Sequence, residues 1–84
     1  MEFEFEPTKS ELNKQKHGID FGEATALWGH PDLLVAPARS TDEPRHLAVG
    51  MIGGKIWSAI VAFRDGRVRL ISVCRAREEE SEAI

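Results

Sequence analysis

Hydrophobic and polar residues alternate at the start of the chain, where Phe3 and Phe5 stand between Glu2, Glu4 and Glu6. That period of two marks a short strand with one buried face, and Pro7 ends it. The pattern then becomes helical. Thr8, with Glu11 three residues on, matches a capping box, so a helix is expected over about residues 9–17, stopped by a left-handed Gly18. Asp20 and Glu23 repeat the capping signal. Phe21, Ala24, Leu27 and Trp28 lay an apolar stripe along a second helix, which Gly29 closes.

From Pro31 the signal turns extended. Leu33, Leu34 and Val35 read as a short strand, and residues 37–44 are rich in turn formers and read as a loop. Residues 45–52, 55–63 and 67–73 are three β-rich runs separated by Gly53-Gly54 and Asp65-Gly66, both strong hairpin turns, so an antiparallel meander is expected. Residues 75–82 read as a short helical tail that frays, because four glutamates near a helix C-terminus oppose its dipole. The order is then β-α-α-β-β-β-β. It predicts a two-layer α+β domain in which two N-terminal helices cover one face of an antiparallel sheet and leave the other face open.

Eighty-four residues make one domain, 1–84, with a thin core and modest stability. Net charge is −3, but Glu78, Glu79, Glu80 and Glu82 fall in an acidic tail at about 78–84, which leaves residues 1–77 at +1. A near-neutral body excludes broad nonspecific nucleic-acid binding, so any such site must be a focused basic cluster. The single cysteine, Cys74, excludes an internal disulfide and a cysteine-based zinc cluster, and it fits a reducing cytoplasm. No apolar run approaches a bilayer span, and the first residues lack the basic and apolar regions of a signal peptide. A cytoplasmic protein without membrane association is expected.

Candidate chemistry starts at Lys16-His17-Gly18, where a cation and an imidazole stand side by side at a helix end, an arrangement suited to a phosphodiester. Farther on come Glu43, Arg45 and His46 entering one strand, then Arg69 and the Arg75-Ala76-Arg77 step leaving another. Each has a plainer reading. Lys16 and His17 suit a helix C-cap, Glu43 and Arg45 suit a loop-edge ion pair, and Arg69 suits a solvated strand face. Cys74 follows Val68, Leu70 and Ser72 on one strand face, which suits a small, partly buried and inert thiol. Trp28 and Trp57 read as core residues. The histidines His17, His30 and His46 are spaced too irregularly for a metal site, so no metal and no cofactor are expected.

The same residues, in this order, resemble the BrnT family of type II toxins. Phe3-Glu4-Phe5-Glu6 matches that family's opening strand, Asn13 to Gly18 with Phe21 its Asn-x-x-Lys-His-Gly helix end, Glu43 and Arg45 its acidic-Arg step, and Arg69-Leu70-Ile71-Ser72 with Arg75-Ala76 its last strand. The resemblance implies a RelE-like fold and a metal-independent endoribonuclease that cuts messenger RNA, inhibits translation and leaves a 2′,3′-cyclic phosphate. It further implies neutralisation by a BrnA-like ribbon-helix-helix antitoxin, a heterotetramer of two toxins and two antitoxins, and operator DNA met only through the antitoxin. Transferred residue by residue, it makes His17 or Glu43 the base or acid and lets Lys16, Arg45 and Arg75 hold the phosphate, with Arg69, Arg77 and His46 binding RNA. Folding is expected to gather these groups on the open face of the sheet. The chain departs from the pattern at Pro44, which intervenes in the acidic-Arg step, and above all at Cys74, which stands where the family carries an arginine. The alternative reading is therefore a catalytically weakened relative that acts as an antitoxin-binding corepressor module.

Overall fold

The computed structural model describes residues 2–39 and 43–76. Along the chain run β1 (Glu2–Glu4), α1 (Pro7–His17), α2 (Phe21–Ala24), a 3-10 helix (Thr25–Gly29), β2 (Leu34–Ala38), β3 (Arg45–Ile52), β4 (Lys55–Arg64) and β5 (Arg67–Arg75). Among the described residues the strands form one five-stranded sheet in the order β1-β5-β4-β3-β2. The fold class is α+β. The acidic tail and Arg77 lie outside the described residues.

Helix α1 begins at Pro7, two residues before the expected start, and Glu6 occupies the N-cap without a side-chain hydrogen bond. Proline at the first helical position loses nothing by lacking an N–H and already has a helical φ, so the helix starts there and bypasses the Thr8–Glu11 box. It stops at Gly18, whose φ of 82° and N–H bond to Lys14 O form a left-handed cap. The second capping box does form: Glu23 N donates to Asp20 Oδ1 at 2.7 Å and Asp20 N to Glu23 Oε1 at 3.0 Å. Only one α-turn follows before the chain tightens into the 3-10 helix, yet Phe21, Ala24 and Leu27 still share the buried side.

Those residues and Ile19 pack on Ala48, Trp57, Ala59, Val61, Val68, Leu70 and Val73, which come from the covered face of the sheet. Phe3 meets Trp28 edge-on with ring centres 5.2 Å apart, and Phe5 meets Phe21 at 5.7 Å. Both tight hairpins take the positive φ that their sequences require, at Gly53 (58°) and Gly54 (77°) and at Asp65 (50°) and Gly66 (77°).

The sheet is mixed, because β1 pairs with β5 in parallel through Glu2↔Arg67, Phe3↔Val68 and Glu4↔Arg69. That register sets the acids of β1 against the bases of β5: Arg67 Nε lies 3.1 Å from Glu2 Oε2, and Arg69 Nη1 3.8 Å from Glu4 Oε1. Strand β2 runs through Pro37 into the expected loop, which an edge strand tolerates because one side of its backbone has no partner.

A bulge alters β5. Ile60 pairs with Ser72 but Val61 pairs with Leu70, so Ile71 is left over and the alternation of faces shifts by one. Val68, Leu70 and Val73 therefore all enter the core, whereas Ser72 and Cys74 turn to the open side with Arg69. The expectation that Cys74 shares a face with Val68 and Leu70 is corrected by this extra residue.

Candidate functional site

Arg45 opens β3, and its neighbours fix which way it points. His46 pairs with the buried Val61, so Arg45 faces the open side, opposite Ala62 in the continued register. Arg69 pairs with Ala62 from the other flank. The two arginines thus bracket Ala62, which faces the open side yet is only 1% exposed. Arg69 has Glu4 as its ionic neighbour. Arg45 is half-buried, and its Nε is buried with no hydrogen-bond partner among the described residues. Glu43, two residues upstream, is also half-buried where the chain enters β3.

Beside this bracket the open face holds a cleft of about 370 Å³ lined by Pro37, Ala38, Leu47, Ser58, Ile60, Ser72 and Cys74. Ser58 Oγ lies 3.9 Å from Cys74 Sγ across the β4–β5 pair. The bulge at Ile71 is what brings Ser72 and Cys74 here, a re-aiming of side chains for which bulges are well suited.

Other sequence-selected residues lie elsewhere. Arg75 pairs with Trp57 on the covered face, and its guanidinium sits 5.6 Å from the centre of that ring. Arg69 and Arg75 are separated by about 17 Å along β5 once the bulged residue is set aside, and they face opposite sides. His46 also faces the covered side, where its ring meets Phe63 at 4.8 Å and its Nδ1 is buried with no hydrogen-bond partner among the described residues. The expectation that all these groups share the open face is therefore corrected for Arg75 and His46. Strand alternation with the bulge sends Arg75 across, and simple alternation sends His46.

Lys16 and His17 close α1 one turn beyond Asn13, and Asn13 is anchored to β5. Its Nδ2 donates to Val73 O at 2.9 Å and to Ile19 O at 2.8 Å, and its Oδ1 accepts from Val73 N at 3.1 Å. A side-chain amide thus takes the place of the strand that would flank β5 beyond the short β1. It ties the corner at the end of α1, where Lys16 and His17 stand, to β5 at Val73. Sequence reasoning quoted Asn13 and Ser72 as parts of motifs but gave neither a task; the polar residue on an otherwise core-facing helix side was the available signal for Asn13.

Near that corner Lys14 Nζ bonds Glu23 Oε1 at 2.7 Å. This bond holds the Glu23 carboxyl below its ordinary value, helped by the Asp20 N–H, and raises the Lys14 ammonium. Among the described residues no three His, Cys, Asp or Glu side chains are grouped as metal ligands would be.

A family model described as the ribonuclease toxin BrnT of type II toxin-antitoxin systems matches residues 5–80. The chain belongs to the BrnT family. No curated protein matches it. Membership in BrnT makes this a type II ribonuclease toxin by family, with an antitoxin as its partner. For such a BrnT chain the open face offers two guanidinium groups beside a cleft, the kind of surface on which an RNA phosphate is held by charge and oriented donors.

Proposed function

We propose that this protein is a metal-independent endoribonuclease of RelE-like fold that cuts messenger RNA and so inhibits translation in the cytoplasm, and that a BrnA-type ribbon-helix-helix antitoxin neutralises it. The observation that carries the reading is the Arg45–Ala62–Arg69 bracket beside the cleft. Two permanent cations stand on either side of the buried Ala62 at the rim of the cleft, where their donors can meet a phosphodiester.

Cleavage without a metal needs a base for the 2′-OH proton, cations that stabilise the crowded phosphate, and an acid for the leaving oxygen. In this reading Arg45 and Arg69 bind the phosphate and Glu43 takes the 2′-OH proton beside Arg45; the 2′ oxygen bonds to phosphorus as the bond to the 5′ oxygen breaks, that oxygen takes its proton from water, and the products are a 2′,3′-cyclic phosphate and a 5′-hydroxyl end. Lys16, His17 and Arg77 serve as outlying RNA contacts, whereas Arg75 and His46, on the covered face, take no part in the site. Two toxins and two antitoxins form the inactive complex, which reaches operator DNA only through the antitoxin.

A second reading is favoured by Cys74. The side chain at this position enters the cleft, and the family resemblance places an arginine there. A thiol supplies one weak donor and no permanent charge, so a weakened enzyme that serves as a corepressor module is the rival. Expression of the chain alone separates the two. The first reading expects growth arrest relieved by Arg45→Ala and by the antitoxin; the second expects arrest only from Cys74→Arg.

A further inference from the structure

The cleft holds more than a phosphate site uses. Leu47 and Ile60 are half-buried on a sheet face that carries no helix among the described residues, and with Pro37 they form an apolar wall where an exposed antiparallel sheet would ordinarily be polar. Next to them, on β4 and β5, stand two hydroxyls and a thiol, from Ser58, Ser72 and Cys74. Ser58 is only 5% exposed and so gives the floor a fixed polar atom. One apolar side, one edge of adaptable donors and acceptors, and cations at the rim describe the chemistry of a nucleotide: a flat base, its polar edge, and its phosphate.

We infer that this cleft is a subsite for one nucleobase of a single-stranded RNA, adjoining the phosphate held by Arg45 and Arg69. The inference rests on the ribonuclease reading and adds what occupies the cleft. The base is buried against Leu47, Ile60 and Pro37, and its edge meets the Ser58 and Ser72 hydroxyls, each of which can donate or accept. Single-stranded RNA supplies such unstacked bases, whereas a duplex does not. The size of residue 74 decides whether the subsite exists. An arginine there would extend into the cleft, adding a phosphate contact and removing the room for a base. In this chain the short thiol leaves that room open, so Cys74 exchanges a charge for a base-binding site.

Cys74 is the only cysteine of the chain, so its alkylation by iodoacetamide reports on the cleft in the unaltered protein. The test compares 2′-O-methyl hexamers of uridine and of adenosine, which cannot be cut, with an abasic sugar-phosphate of the same length. Expected is protection of Cys74 by at least one base-bearing hexamer but not by the abasic one, together with binding tighter by about tenfold, the scale of one base contact. Leu47→Ser narrows that difference, and Cys74→Arg abolishes it while strengthening abasic binding. If hexamers and abasic strand bind alike through Arg45 and leave Cys74 reactive, the base subsite is overturned and the phosphate site stands. If neither binds, both fall. If the antitoxin protects Cys74 and no hexamer does, the cleft belongs to the protein partner and the inference is overturned.

Discussion

Asn13 on α1 and Val73 on β5, sixty residues apart in sequence, exchange two hydrogen bonds: Asn13 Nδ2 donates to Val73 O and Val73 N donates to Asn13 Oδ1. The pair completes the backbone of a strand whose neighbour β1 is too short to reach it. The helix layer is thereby locked in register with the strand that carries Ser72, Cys74 and Arg75.

Removing that amide should therefore be costly. Asn13→Ala leaves a buried N–H and two carbonyls without partners, and a loss of about 2–4 kcal/mol in urea unfolding is expected. Asn13→Asp, which turns a carboxylate toward the carbonyls of Ile19 and Val73, should cost at least as much. A change within about 0.5 kcal/mol of wild type would show that the bonds contribute little.

Gly50 is pressed against the 3-10 helix. A Cβ there would lie 3.0 Å from Leu27 Cδ2 and 3.3 Å from Leu33 Cδ1, and Leu27 is fully buried. Gly50→Ala should destabilise by about 1–3 kcal/mol through overpacking, and the loss should shrink in a Leu27→Ala background. Thermal unfolding of the four combinations measures that coupling.

The Lys14–Glu23 bond predicts a pH signature. The Glu23 carboxyl is held low, so whatever it contributes is present above the ordinary carboxylate range and is lost as pH falls through the lowered value. The Lys14 ammonium is raised, so its share persists to high pH and is lost only as pH rises through that raised value. NMR titration should find Glu23 below an ordinary glutamate, and Lys14→Ala should move it back up. Because both side chains are about half exposed, the effect on overall stability should be small.

Much of the architecture could be read from period and punctuation. Asp20 with Glu23, the Gly18 stop, and the Gly53-Gly54 and Asp65-Gly66 turns act locally, and each appears where its chemistry requires. What escaped depends on long-range pairing. The parallel match of β1 to β5 needs Glu2 and Glu4 to find Arg67 and Arg69 across the whole chain, and nothing local announces it. The bulge at Ile71 was hidden in a run that alternates acceptably either way. That one residue moved Cys74 to the open face and Arg75 to the covered one, dividing a site that the sequence presents as a single basic run. Pro7 misled for a different reason, since it can end a strand or begin a helix equally well.

The most direct measurement is cleavage of a messenger transcript by the purified chain and its single variants. The account predicts fragments ending in a 2′,3′-cyclic phosphate, slowed by Arg45→Ala about 10²–10³-fold, the scale of one lost transition-state donor. Arg69→Ala should slow cutting less, and Arg75→Ala should change it by under about tenfold, since Arg75 lies over Trp57 on the other face. Full activity in Arg45→Ala, with cutting abolished by Arg75→Ala or His17→Ala, would place the reacting phosphate at the far end of β5 and contradict the account.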